Sequence, residues 1–307
     1  MAEVIQTVLG QVAAGEWGVT LCHEHLRADL SEKKADQDAA LTDEALVTAE
    51  VADLVQAGAA ALIEVTGIGM GRDVEYLKRV SAATGCHVVC ATGFYYGQWL
   101  PEIVQTASVE QLADLFEQEL PEGIPGTGGV RAGVIAEIGT SRGQILPAEE
   151  KVFKAAALAQ RRTGAPITTH CSLGTMALEQ LAILERAGAD LSKVSIGHQD
   201  LNGDLATHVA IARRGAFVQY DTVGKERYQP DATRVRLVLE MAELGLADRL
   251  MLSLDISRPS YLKRRGGFGY AYLLTDFLPR LRAAGLDQAS LDAILVGNPR
   301  RLLAHFA

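Results

Sequence analysis

The sequence is poor in cysteine and in long hydrophobic runs. Its four cysteines include no CxxC pair, so we expect reduced thiols rather than a disulfide framework. Alternation along strands turns Cys22 and Cys171 toward the helices, which predicts packing residues and not metal ligands. No stretch approaches about 18 uninterrupted apolar residues, and no basic region precedes an apolar one at the N-terminus. We therefore expect a cytoplasmic protein without a membrane segment.

Positive charge is also scarce. The chain has 29 Lys and Arg against 38 Asp and Glu, which gives a formal net charge of -9. This balance repels phosphate backbones and anionic membranes, and no basic stripe with interleaved aromatic residues offsets it. The composition therefore argues against nucleic acid or a membrane surface as a partner.

The 307 residues are 48% hydrophobic, which is enough for a large core, and β-rich runs alternate with amphipathic segments. A doubly wound open sheet is the competing fold, but it usually shows a glycine-rich phosphate turn after its first strand. Here the first strand ends in histidines, so we predict an α/β protein, a single-domain (β/α)8 TIM barrel over residues 1–307 with a C-terminal helix. The eight candidate strands lie near 18–22, 60–65, 87–92, 132–137, 166–170, 193–198, 215–220 and 249–255.

Two of the seven histidines, His23 and His25, stand two residues apart just after an apolar run, in "LCHEHL". In an extended strand both imidazoles project from one face, about 7 Å apart along the backbone, which is a chelating arrangement. Two hydrogen-bonded histidines near a strand end are the alternative interpretation, so the pair alone is weak support for a metal.

Polar residues at the C-terminal ends of the candidate strands extend this pattern, because barrel active sites are built at that face. An unpaired Glu137 after "VIA" would carry a desolvation cost of several kcal/mol, which a cation would remove. Six nitrogen and oxygen ligands are too many for one four-coordinate zinc but suit two divalent metal ions that share a carboxylate. Zn²⁺ is the default, and Mn²⁺, Co²⁺ or Fe²⁺ are alternatives. The six candidate ligands are His23, His25, Glu137, His170, His198 and Asp255.

With these residues placed, the chain resembles the phosphotriesterase-like family of the amidohydrolase superfamily. The stretches that carry the resemblance occur in the family's order: "GVTLCHEHL", "TGFYY", "GVIAEIGTS", "KAAALA", "TGAPITTH", "SIGH", "SLD" and "NPRRLL". The resemblance implies that His23, His25 and Asp255 bind the more buried metal, whereas His170 and His198 bind the more exposed one. Glu137 stands where many members carry a carboxylated lysine, which implies a bridging role. It also implies a homodimer.

The resemblance further implies a hydrolytic mechanism. A hydroxide that bridges the two metals would attack a carbonyl or phosphoryl centre, and Asp255 could take a proton and pass it to the leaving group. Tyr95 matches a family position that lies over the metals in lactonases, where it could orient the nucleophile or the substrate; an aromatic lid residue is the alternative. The loops after the seventh and eighth candidate strands, "DTVGKERY" (loop seven) and "ISRPSYLKRRGG" (loop eight), contain Lys225 and Arg258, which could pair with an anionic group of the substrate. Solvated loop charges are the alternative for most of the cations there.

The leading functional prediction is a dinuclear metal hydrolase of small carboxylic esters or lactones, with an anionic substituent as an option. Phosphotriester hydrolysis is the first alternative, although cationic loops suit polar substrates better than an apolar pocket would. A non-catalytic metal-binding barrel is the second alternative, and deamination with related metal chemistry is a third.

Overall fold

The computed structural model describes residues 3–306 of the chain, and thirteen strands are assigned within this range. They are β1 (Glu3–Thr7), β2 (Gly10–Ala13), β3 (Thr20–Glu24), β4 (Ala28–Asp29), β5 (Ala40–Leu41), β6 (Ala61–Glu64), β7 (His87–Thr92), β8 (Val134–Thr140), β9 (Ile167–Cys171), β10 (Val194–Ile196), β11 (Phe217–Tyr220), β12 (Leu250–Leu252) and β13 (His305–Phe306).

Helices follow the central strands in turn. They are α1 (Ser31–Lys34), α2 (Glu44–Gln56), α3 (Val74–Thr84), α4 (Glu102–Thr106), α5 (Val109–Glu117), α6 (Pro147–Thr163), α7 (Ala177–Arg186), α8 (Leu205–Arg213), α9 (Asp231–Glu243), α10 (Leu278–Ala283), α11 (Gln288–Asp292) and α12 (Asn298–Leu303). The longest, α6, begins at Pro147 and is followed by Gly164 at a φ of 74°, as expected for a proline start and a left-handed glycine stop. Among residues 3–306, no helix combines the length and apolar character needed to cross a bilayer.

Eight parallel strands form the central sheet in the order β3, β6, β7, β8, β9, β10, β11, β12. The first and last strands meet, because the Asp255 amide donates to the His23 carbonyl at 3.2 Å and the His23 amide donates to Ser253 Oγ at 3.0 Å. The predicted single-domain (β/α)8 barrel is thereby confirmed.

Side chains on these strands alternate between two apolar clusters. On β6, Leu62 packs outward with Leu77 of α3 in the cluster beneath the helices. Its neighbour Ile63 packs inward with Val89 and Val134, in the cluster that fills the barrel. Strands buried on both faces explain the continuous hydrophobic runs in the sequence.

Cys22 breaks the expected alternation. It packs with the inner cluster, while Cys171 packs with the outer one, so the prediction that both face the helices is wrong for Cys22. The cause is an irregular ladder between β3 and β6, whose register shifts between Leu21 and Glu24. Within residues 3–306 all four cysteines are buried and unpaired.

The two ends of the described chain close the N-terminal face of the barrel. The hairpin β1–β2 pairs antiparallel with β13, and Ile5 and Trp17 pack with Leu302 in the inner cluster. The sequence patterns above did not predict this small sheet. With the lower end filled, the opposite face carries the strand ends and the long loops.

Candidate functional site

The six candidate ligands lie together at the C-terminal face of the barrel. His23, Glu137 and His170 belong to β3, β8 and β9, whereas His25, His198 and Asp255 follow their strands by one to three residues. Five are buried, and the side chain of Asp255 is 13% exposed. Convergence from five strands is the expected consequence of a closed parallel barrel.

Three of these residues have a left-handed backbone. The φ angles of Glu137, His198 and Asp255 are 47°, 57° and 50°, a region that residues other than glycine rarely adopt. Each such conformation costs about 1–3 kcal/mol and persists where the surroundings enforce it, most often at functional sites. The fold therefore carries local strain at three of the six candidate ligands.

One cluster consists of His23, His25 and Asp255, whose potential ligand atoms all lie within 4.8 Å of one another. His25 Nε2 is 3.4 Å from Asp255 Oδ1 and 3.5 Å from Glu137 Oε2. His23 Nε2 is 3.6 Å from the other oxygen of Glu137. These three side chains could hold one cation.

A second cluster consists of Glu137, His170 and His198, again within 4.8 Å of one another. His170 Nδ1 is 3.0 Å from Glu137 Oε1 and 2.8 Å from His198 Nε2. Glu137 belongs to the second cluster and also faces the first, since it presents one oxygen to His170 and the other to His25. A carboxylate in this position can be shared by two cations.

A hydrogen bond selects the ring nitrogen that His25, just after β3, offers to the site. His25 Nδ1 is 2.7 Å from Thr66 Oγ1, which donates to Glu64 at 2.6 Å. His25 Nδ1 therefore carries a proton, and its Nε2 faces Glu137 and Asp255. This arrangement is the orienting support usual behind metal-binding histidines.

Asp221 supports one histidine of each cluster and was missed in the sequence. Its Oδ1 lies 2.8 Å from His198 Nδ1, and its Oδ2 lies 3.2 Å from His23 Nδ1. It also accepts the backbone amide of His198 at 2.9 Å. Asp221 directly follows β11, so the rule that selected the other strand-end residues could have found it.

Two buried atoms at the centre have no hydrogen-bond partner among residues 3–306, namely His23 Nε2 and Glu137 Oε2. Buried polar atoms are almost always paired, so these two unpaired atoms require an explanation. Imidazole and carboxylate donors are ligands for divalent metals such as zinc. The donor set and its two unpaired atoms therefore fit metal ions.

The charges of the site suit metal binding. Burial alone would raise the pKa of Glu137, but the neighbouring imidazoles of His25, His170 and His23 hold it well below its usual value. Burial and the nearby His198 lower the pKa of His170 to about 4. At neutral pH Glu137 is therefore ionised and His170 neutral, the protonation states that these two residues need as metal ligands. Despite burial, the carboxylates of Asp221, Glu137 and Asp255 raise the pKa of His23, His25 and His198, so binding of a cation would release protons from these rings.

Glu24, the middle residue of "HEH", fixes the position of Asp255. Its carboxylate accepts from Ser253 Oγ at 2.6 Å and from the amides of Leu254 and Ile256 at 2.8 and 2.9 Å. Burial, opposed by these hydrogen bonds, raises the pKa of Glu24 to about 7. Because the two amides flank Asp255, Glu24 holds the left-handed turn that presents it.

A cavity of about 210 Å³ opens above the six residues. Tyr95 is buried in its wall, with its ring edge-on to His170 at a centroid distance of 4.9 Å. Lys225 hydrogen-bonds Asp255 and lies 5.0 Å from the centre of the Tyr261 ring. Arg258 also lines the cavity, but its guanidinium pairs with Asp36 at 2.5 Å. The substrate contacts expected of Tyr95, Lys225 and Arg258 stay predictions.

A larger cleft of about 790 Å³ lies at the N-terminal face and is lined by Lys193, Arg249 and Arg301, among others. Size alone would favour it as the functional site. The three left-handed ligand residues, the unpaired atoms of His23 and Glu137 and the clustered donors lie at or beneath the smaller cavity, so chemistry and not volume locates the site.

Comparison with known proteins relates the chain to one family along nearly its whole length. The model of the phosphotriesterase family matches residues 3–303. The phosphotriesterase homology protein of Escherichia coli is 48% identical over 282 residues, which cover 92% of this chain and 96% of that protein. The N-acetyltaurine hydrolase of Homo sapiens is 32% identical over 341 aligned residues, which cover 97% of each chain.

Solved structures that superpose on this chain include relatives of the same kind. The crystal structure of the Escherichia coli homology protein, with phosphate in its active site, superposes with a TM-score of 0.91 at 47% identity and covers 93% of this chain and 98% of that one. A lactonase from Listeria monocytogenes superposes with a TM-score of 0.92 at 30% identity and covers 98% of each chain.

Proposed function

Because the chain belongs to the phosphotriesterase family, we propose that this hydrolase binds two divalent cations, Zn²⁺ by default, and cleaves small carboxylic esters or lactones. His23, His25 and Asp255 would hold one cation, and His170 and His198 the other, with Glu137 shared between them. The observation that carries the proposal is the pair of donor clusters on either side of Glu137.

Bound cations would supply Lewis acidity and lower the pKa of a coordinated water, so that water can add to the acyl carbon near neutral pH. Asp255 is placed to take up the proton of that water, since it lies at the floor of the cavity. The proton would then pass to the leaving alkoxide, so that an ester gives a carboxylic acid and an alcohol, whereas a lactone gives a single hydroxy acid. Tyr95, beside His170, would orient the substrate oxygen.

The cavity favours a small polar substrate over a bulky phosphotriester. Its volume of about 210 Å³ is below the range of roughly 300–1,000 Å³ typical of drug-sized ligands. Lys34, Lys225 and Arg258 are part of its wall, whereas large aryl groups need an apolar one. Lactonase activity in the similar Listeria protein supports an ester substrate.

A second candidate function is hydrolysis of a small N-acyl amide. It is favoured by the similarity to N-acetyltaurine hydrolases along nearly the whole chain. The same groups would act on an amide, with the proton delivered to the leaving nitrogen. A non-catalytic metal-binding barrel is a weaker reading, because all six donors and their supporting carboxylates are present.

The test combines metal analysis with a substrate screen. The protein is stripped, reloaded with zinc, and assayed against lactones, carboxylic esters, N-acyl amides and organophosphates. We expect about two zinc ions per chain and turnover of an ester, a lactone or an amide that is lost on chelation. Glu137→Gln and His170→Ala should abolish it, whereas the exposed Glu75→Gln should not. Turnover that persists in both site variants would refute the proposal.

A further inference from the structure

The cavity contains three cationic side chains, Lys34, Lys225 and Arg258, and two of them are already neutralised. Lys225 is paired with Asp255, and Arg258 with Asp36. Neither has its full charge available for a ligand.

Lys34 differs from both. Over residues 3–306 its Nζ makes no hydrogen bond and no ion pair, although the side chain is half-buried and lines the cavity. The ammonium lies 6.0 Å from the ring centre of Tyr95 and 5.6 Å from that of Trp99, so two aromatic faces hold it in place. Lys34 is therefore positioned but not neutralised.

A desolvated cation without a counter-ion is costly. Burial and the like charge of Arg258 lower the pKa of Lys34, while the carboxylate of Glu137 raises it. Glu137 has other partners, since its oxygens face His25 and His170. A permanent protein partner for the Lys34 ammonium is thus missing within the described chain, and the side of the ammonium that faces the cavity is available to a ligand.

We propose that Lys34 is the anion-recognising residue of the site, and that the substrate is a small acyl compound bearing a carboxylate, sulfonate or phosphate group. This inference rests on the proposed hydrolase function and specifies its substrate class. The scissile carbonyl lies over the two donor clusters, and the anionic group points along the cavity wall to Lys34.

The size of the cavity limits the length of such a compound. A volume of about 210 Å³ equals the liquid volume of roughly seven water molecules. That space accommodates a short acyl group and a two- or three-carbon spacer that ends in one anion. A charged hydrogen bond to Lys34 would then select among compounds that present the same acyl group.

The test uses two substrates that differ only in charge: the acetyl ester of a short hydroxyalkanoate and that of the matching neutral hydroxyalkanamide. In Lys34→Met, kcat/KM for the anionic ester should fall roughly 10–100-fold, mainly through KM, with little change for the neutral ester. Lys34→Arg should restore part of the loss. A hydroxyalkanesulfonate ester should behave like the carboxylate.

Lys33→Met is the matched control, because Lys33 is exposed on the same short helix and its Nζ donates to the carbonyls of Gly69 and Trp99. It should leave the ratio of the two kcat/KM values unchanged. An equal loss for both esters in Lys34→Met would overturn the inference while the hydrolase proposal survives.

Failure of the proposed function has a different signature, namely no metal-dependent turnover of either ester. Binding of succinate to the zinc-loaded protein, measured by calorimetry, then decides the inference independently. Binding that weakens at least 10-fold in Lys34→Met supports anion recognition. Equal affinity for wild type and variant, or no binding to either, refutes it.

Discussion

Replacement of Asp221 by asparagine tests whether this carboxylate supports both of the proposed metal sites. Asp221 accepts from His198 Nδ1 at 2.8 Å and faces His23 Nδ1 at 3.2 Å, and these histidines belong to different donor clusters. An asparagine keeps the shape but offers one acceptor oxygen, so its NH₂ group must face one of the two imidazole N–H groups. One ring then loses its preferred tautomer or its orientation.

The expected loss of metal affinity can be estimated from other proteins in which a carboxylate orients a metal-binding histidine. Loss of such a partner typically weakens metal binding about 10–100-fold, which is roughly 1.4–2.8 kcal/mol per site. Because Asp221 contacts one ligand of each cluster, both binding events should weaken in Asp221→Asn. Removal of Glu64, which supports His25 alone through Thr66, should weaken one event more than the other.

The assay is a zinc titration against a chromophoric chelator at fixed pH, with circular dichroism to verify that the variant is folded. Asp114→Asn is the control, since Asp114 is an exposed acid on α5 that pairs with Arg162. A folded Asp221→Asn protein that binds both ions with wild-type affinity would refute the reasoning. A loss confined to one ion would show that Asp221 supports a single site.

Three further predictions concern stability. Each ion present at 100 times its Kd adds about 2.7 kcal/mol, so chelation should lower Tm by several degrees in a melting scan. Burial lowers the pKa of His208 from its ordinary 6.5 to about 4 in the folded protein. Neutral His208 therefore contributes stability that is fully present above pH 6.5 and is lost as pH falls from about 6.5 to about 4. In urea titrations the stability advantage of wild type over His208→Gln should therefore shrink by about 3 kcal/mol from pH 7 to pH 4. Gly197→Ala should cost about 1–3 kcal/mol, because its Cβ would lie 2.1 Å from the Thr169 carbonyl oxygen.

A different result would contradict each of these three stability predictions. A Tm unaffected by chelation would indicate that the donor clusters bind no ion. A wild-type advantage over His208→Gln that stays constant with pH would show that His208 titrates normally in the folded protein. A fully stable Gly197→Ala would mean that β9 and the turn before His198 separate readily.

The candidate ligands at the ends of strands could be predicted from the sequence. The meeting of parallel strand ends at one face was sufficient to select His23, Glu137 and Asp255 from distant parts of the chain. Asp221 satisfies the same rule, but a lone aspartate after a strand looks like a helix cap. Its role depends on contacts with His23 and His198, which are far apart in the sequence. Their metal-binding roles stay predictions.

Other features depend on contacts that no local pattern encodes. Arg258 is paired with Asp36, 222 residues away in the chain, so its neutralisation could not be read from loop eight. The inward turn of Cys22 results from the register shift beside Glu24. Within residues 3–306, the cavity cation that has no protein partner is Lys34, on a short helix after β4 that the sequence did not predict.

The small sheet at the N-terminal face brings the two ends of the described chain into register, with Glu3 opposite Phe306 and Val4 opposite His305. A tag or surface linker attached at either end would therefore emerge on the side away from the cavity mouth. New termini could also be opened in an exposed loop after the chain is joined near residues 3 and 306 by a short linker. Immobilised or circularly permuted forms of this barrel should keep the mouth unobstructed.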